Sequence, residues 1–234
     1  MIHQNLFETK AALFASLSKA LSEELSTALS FHDTMTLYVS GGSTPRPVYE
    51  NLSEHDIDWS QVHVALVDER WVPETDQASN AGMVKRSLLQ HKAATATFQG
   101  MYLADHDIQH SLTVCEAAYG ALPETYRLCL LGMGPDGHTA SLFPEAEGLE
   151  TALTSQQHCA VISARPSVVT GEHCNRMTLT RQAILACDKV FLLFTGADKW
   201  QVFEQALLTK ERCRFPVSTI LQQNDKDIEL YWSP

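Results

Sequence analysis

Asp136 and His138 stand two residues apart, just past the apolar run Leu128-Cys129-Leu130-Leu131, inside LGMGPDGHTASLFP (131–144). Histidine titrates near neutrality, which makes His138 the natural general base for activating water. Asp136 would orient the imidazole or cap a short helical turn at Thr139–Leu142. The glycines Gly132, Gly134 and Gly137 also spell G-x-G-x-x-G. A dinucleotide turn, however, needs a helix opening at the glycines and an acidic residue roughly twenty positions on. Pro144 comes only seven residues after Gly137, and Ser155-Gln156-Gln157-His158 contains no acid. The stretch is therefore a tight glycine turn that presents Asp136 and His138, and no nicotinamide or flavin cofactor is expected.

SGGSTPRPVYE (40–50) offers a different chemistry. Gly41 and Gly42 let backbone approach a ligand closely, and the hydroxyls of Ser43 and Thr44 add donors. Free N–H groups at a helix start form an anion site suited to phosphate, with Thr44 as cap and Pro45 in the first turn. A plain strand-to-helix turn is the ordinary use of such a Gly pair. No Walker lysine follows. In VDERWVPETDQASN (67–80) Asp68, Glu69 and Arg70 leave an apolar strand together, and Asn80 closes the stretch. Arg70 suits an oxyanion held by its fork, while Asp68 would orient a histidine or take a proton. Two later cations join them. Arg176 precedes Met177-Thr178-Leu179-Thr180, and Lys199 falls in the first turn of a helix, where a cation opposes the macrodipole unless an anion is near.

The elements that must position these residues follow from hydrophobic period. Leu13, Leu17, Leu21, Leu25 and Leu29 recur every four residues and mark a long amphipathic helix. Apolar runs at 35–40, 62–69, 126–132, 159–164, 177–180 and 189–196 read as strands. Helices are expected from Pro45 to about Leu52, Ser79 to His91, Ser111 to Leu122, 180 to 187 and 198 to 208. Strands alternating with helices, most of them continuous apolar runs, predict a doubly wound, mostly parallel α/β sheet with helices on both faces, Rossmann-like, in one domain over 1–234. Ligands then gather at the carboxyl ends of the strands.

The net charge of −11 argues against nucleic acid or an anionic membrane as partner. No apolar window is long enough to span a bilayer, and the first residues do not read as a signal peptide. The six cysteines include no C-x-x-C pair. His106 and His110 have helical spacing but no third ligand, so no metal site is expected. A cytoplasmic protein is the default, and the oligomeric state stays open between monomer and small homo-oligomer.

SGGSTP, VDERWVP followed by Ser79-Asn80, LGMGPDGHTASLFP, Arg176-Met-Thr-Leu-Thr and Gly196-Ala-Asp-Lys199, in this order, closely resemble the 6-phosphogluconolactonases. That family shares its sheet, its Gly-rich phosphate loop and a D-G-H segment with the glucosamine-6-phosphate isomerase/deaminases. The deaminases usually follow D-G-H with an I-A-F-N-E-P-like run. Thr139-Ala140-Ser141-Leu142-Phe143-Pro144 fits the lactonases instead. The resemblance implies hydrolysis of 6-phosphogluconolactone in the oxidative pentose phosphate pathway, without metal or organic cofactor. It implies His138 as base, Asp136 or Asp68 orienting it, and Gly41, Gly42, Ser43, Thr44, Arg176 and Lys199 on the phosphate. Arg70 would hold phosphate or a sugar hydroxyl, with Glu69 and Asn80 as further members of the site. A same-fold isomerase/deaminase and a non-catalytic phosphosugar-binding protein are the alternatives.

Overall fold

The computed structural model describes residues 1–234. In chain order the elements are β1 (Ile2–Leu6), α1 (Lys10–Leu29), β2 (Met35–Val39), α2 (Arg46–Leu52), β3 (Val62–Leu66), β4 (Asp68–Arg70) and α3 (Asn80–Ser87). They continue with β5 (Thr97–Gln99), α4 (Ile108–Gly120), β6 (Arg127–Gly132), α5 (Leu149–Thr154), β7 (Cys159–Ser163) and β8 (Asn175–Leu179). The last are α6 (Arg181–Leu185), β9 (Lys189–Thr195), α7 (Ala197–Leu208), α8 (Ser218–Leu221) and β10 (Ile228–Ser233).

Seven strands form an all-parallel sheet in the order β1-β10-β9-β6-β2-β3-β5. The chain winds outward from β2 through β3 to β5. From β6 it winds the other way through β9 to β10. The order thus reverses between β2 and β6, and the loops leaving their carboxyl ends diverge into a crevice, the usual ligand position in such sheets. β2 is buried along its whole length, and Leu13, Leu17, Leu21 and Leu25 of α1 are fully buried. The fourfold leucine period marks the core face of that helix, whose start is capped by Thr9 Oγ1 accepting from the Ala12 N–H.

A second sheet departs from the expected single one. The strand expected over 62–69 breaks at Val67, and β4 pairs antiparallel with β8, which pairs with β7. Val67 is the pivot. Its N–H donates to Val39 O in the large sheet, and its carbonyl accepts from Leu179 N in the small one. An unbroken apolar run gives no sign that the chain changes sheets within it. The switch places Asp68, Glu69 and Arg70 at the mouth of the crevice.

Other boundaries moved for local reasons. α4 starts three residues before Ser111 because Asp107 Oδ1 accepts from the Gln109 and His110 N–H groups. α3 ends at Ser87 rather than His91, whose φ of 49° lies in the left-handed region. Thr44 does not cap α2: the cap position is Pro45 and receives no side-chain bond. The helical turn expected at Thr139–Leu142 is instead a single turn closed by Leu142 N–H to Thr139 O, with Ala140 at φ 49°. β1, β5 and β10 have no counterpart among the strands expected from the apolar runs.

Candidate active site

The loops after β2, β6 and β9, together with β4, enclose a cleft of about 250 Å³ at the switch point. The turn after β6 brings His138 to its wall. Gly134 N–H donates to His138 O, and Gly137, at φ 81°, takes a conformation that favours glycine. Gly134 is required by space, since a Cβ there would lie 2.1 Å from His138 Cε1. The imidazole rests tilted on Phe143, with ring centroids 4.3 Å apart.

Asp136 holds the histidine from behind. Its Oδ1 lies 2.5 Å from His138 Nδ1 and also accepts the His138 N–H at 3.1 Å. Burial alone would raise the Asp136 pKa, but the bond and charge of His138 outweigh it and hold the carboxyl below its usual range. An ionised Asp136 requires the proton on Nδ1. Nε2, which makes no bond within the chain, is then the free base of the ring. Asp136 does not cap the following turn.

Asp68 is not a partner of His138. Its carboxylate accepts from Ser141 Oγ at 2.6 Å and lies 3.4 Å from Asn80 Nδ2, while its carbonyl takes a better bond from that amide at 2.8 Å. Asp68 nonetheless lines the cleft, as do Arg70 and Asn80. Glu69 is fully buried and faces away from this chemistry. It accepts from Arg70 N, Asn80 N, Ala81 N and Ser79 Oγ, fastening β4 to the start of α3. Burial pushes its pKa up, and those four bonds pull against the rise.

Positive charge converges from three elements. Lys199, on α7, donates to Met133 O at 2.7 Å; burial lowers its pKa and Asp136 opposes the shift. Arg176, 3% exposed, donates from Nε to His173 O and from Nη2 to Thr170 O, and stacks 5.4 Å over Phe143. Burial lowers its pKa too, with Asp68 opposing, although a guanidinium stays charged. Arg70 donates from one Nη to Ala78 O and Asn80 Oδ1. All three cations bond neutral oxygens rather than carboxylates, so their charge is available to an anion.

The loop after β2 supplies donors. Tyr49 Oη, buried on α2, donates to Ser40 O and fixes the loop's base. Gly42 sits at φ 99°, and a Cβ on Gly41 would overlap Asn80. The N–H groups of Gly41, Gly42, Ser43 and Thr44 and both hydroxyls make no hydrogen bond within the chain. Several unpaired donors in one concave loop are the make-up of an oxyanion cradle.

The structure therefore brings His138, Asp68, Arg70, Asn80, Arg176, Lys199 and the Gly41–Thr44 loop to one cleft, with Asp136 behind the histidine and Glu69 outside. Sequence reasoning missed Phe143, which carries both the imidazole and the Arg176 guanidinium, and Ser141, which fixes Asp68. Both lie in the run after D-G-H, where an apolar turn and a buried serine gave no chemical signal. Val169 on the loop before β8 and Leu193 of β9 also line the cleft and looked like ordinary surface and core.

A histidine backed by a carboxylate, beside three cations and a loop of unpaired donors at the switch point of a parallel sheet, defines an α/β protein with a positively lined crevice at the carboxyl ends of its strands. The chain belongs to the family described as glucosamine-6-phosphate isomerases/6-phosphogluconolactonase, whose model matches residues 8–232. It is 39% identical over 221 residues to the 6-phosphogluconolactonase of Pseudomonas aeruginosa, covering 93% of this chain and 89% of that protein. The 6-phosphogluconolactonase of Rhizobium meliloti is 32% identical over 232 residues, 99% of both chains. The crystal structure of a 6-phosphogluconolactonase from Shewanella baltica OS155 matches with a TM-score of 0.94 at 34% identity, covering 100% of this chain and 98% of that one.

Proposed function

We propose that His138 activates water in this cleft to hydrolyse 6-phosphogluconolactone to 6-phosphogluconate, the second step of the oxidative pentose phosphate pathway. Nε2 takes a proton from water, and the hydroxide adds to the lactone carbonyl carbon. The tetrahedral intermediate expels the ring oxygen as the carbon–oxygen bond breaks, and the imidazolium returns its proton there. Asp136 keeps Nε2 as the free nitrogen and stabilises the imidazolium. Lys199, Arg176 and the Gly41–Thr44 donors hold the 6-phosphate, Arg70 holds the phosphate or a sugar hydroxyl, and the Asp68 carboxylate accepts from a sugar hydroxyl.

One observation carries the reading: an unbonded His138 Nε2 on the wall of a cleft whose cations and loop donors have no carboxylate partners. Ring opening and deamination of an amino sugar would call for a carboxylate after D-G-H, and Thr139 to Pro144 supply none. A phosphosugar-binding protein without activity would need the cradle but not the Asp136–His138 pair. We assign the whole chain, 1–234, to one catalytic domain acting on a small phosphosugar lactone in the cytoplasm. No helix is long and apolar enough to cross a membrane. The test is hydrolysis of freshly generated 6-phosphogluconolactone, followed as acid release with a pH indicator. Acceleration well above buffer hydrolysis is expected. Ammonia release from glucosamine 6-phosphate instead would overturn the assignment.

A further inference from the structure

A second cavity of about 180 Å³ lies outside the cleft, and no apolar residue lines it. Arg181 of α6 and Arg212 of the segment before α8 face it, with Ser218, Thr219, Asn224 and Asp225 around them. Arg181 Nε donates to Thr219 O at 3.0 Å, which fixes the guanidinium and leaves both Nη groups unbonded within the chain. The Arg212 guanidinium has no partner at all. Burial and then the charge of Arg212 lower the pKa of Arg181, and Asp225 opposes them, so the two cations feel one another across the cavity. Ser218 is fully buried, and its Oγ lacks any hydrogen-bond partner. Asp225 is the single carboxylate on a wall that carries two guanidiniums, one half-buried and one exposed, and the buried Ser218 hydroxyl beside them has no partner within the chain, a cost that a bound ligand would relieve.

We propose that this cavity is a second anion site, taking a phosphate dianion, free or as a small phosphomonoester. The Arg181 and Arg212 forks suit its oxygens, and Asn224 and Asp225 stand where hydroxyls of an ester could be met. The wall adjoins the support of the catalytic turn: the Val217 N–H donates to Gly137 O, and Phe215 packs against Gly137.

Backbone amide NMR with inorganic phosphate locates binding directly. Saturable shifts at Ser218, Thr219 and Asn224 are expected in the wild type. Arg212→Glu should weaken them about tenfold or more while sparing shifts at Gly41–Thr44 and leaving lactone turnover intact. The Arg212 side chain makes no bond within the chain, so this variant should fold normally. Glycerol 3-phosphate binding more tightly than phosphate assigns the site to esters; equal binding assigns it to the free ion. Shifts confined to Gly41–Thr44, or shifts at Ser218 unchanged by Arg212→Glu, would overturn the proposal.

Discussion

Two histidines in this protein are held in nearly the same way. His138 Nδ1 meets Asp136 Oδ1, and the same oxygen accepts the His138 N–H. His158 Nδ1 meets Glu116 Oε1 at 2.9 Å, and that oxygen also accepts the His158 N–H. Both pairs are partly buried, and both carboxyls are held below their usual range. The surroundings separate them. His138 projects from a turn at the sheet's switch point into a cleft with three cations and an unpaired donor loop. His158 sits where α4 meets β7, and Glu116 Oε2 takes a further backbone bond from Cys159 N–H, so that carboxylate ties a helix to a strand. A carboxylate partner orients an imidazole in both places. Access to the cleft is what distinguishes His138, and on that difference rests its proposed role as the base.

The sharpest way to break that contrast is to neutralise each carboxylate. Asp136→Asn should lower kcat by about 10³-fold, because the amide no longer fixes the tautomer with Nε2 free. Glu116→Gln should leave kcat unchanged and cost about 1–2 kcal/mol of stability in denaturant melts. Next in size is Gly134→Ala, whose Cβ would displace the imidazole; a fall in kcat of about 10²-fold with near-native stability is expected. Lys199→Ala should raise KM about tenfold with little change in kcat, and an unchanged KM would remove it from phosphate binding.

The smallest effect concerns acid. Burial would raise the Glu116 pKa, but the His158 and Cys159 N–H bonds and the His158 side chain lower it overall. A depressed folded pKa gives stability that is present above the unfolded value near 4 and lost as pH falls through the folded one. Stability measured from pH 6 to pH 3 should therefore fall less steeply in Glu116→Gln than in the wild type.

How far this was legible in the sequence differs between the cleft and its scaffold. The parallel sheet could be read because its strands are apolar runs and α1 keeps a strict leucine period. The sheet switch at Val67 could not, because both neighbours of that residue look like one strand. β1 and β10 pair with each other from opposite ends of the chain, a relation that local periodicity does not encode. In the cleft, residue type revealed His138 and the cations. Which aspartate touches the histidine was a distance question, and the structure answers it with Asp136. Asp68 instead depends on Ser141, a serine whose role exists only once β4 folds over the turn.

Both histidines have a carboxylate partner, and only His138 reaches the cleft, so the two side chains should differ sharply in their effect on turnover. Initial rates on freshly generated 6-phosphogluconolactone, measured side by side for His138→Ala and His158→Ala, test this difference most directly. His138→Ala should lose most of kcat while still binding phosphosugar, and His158→Ala should turn over like the wild type. Wild-type turnover by His138→Ala, or an equal loss in both variants, would contradict it.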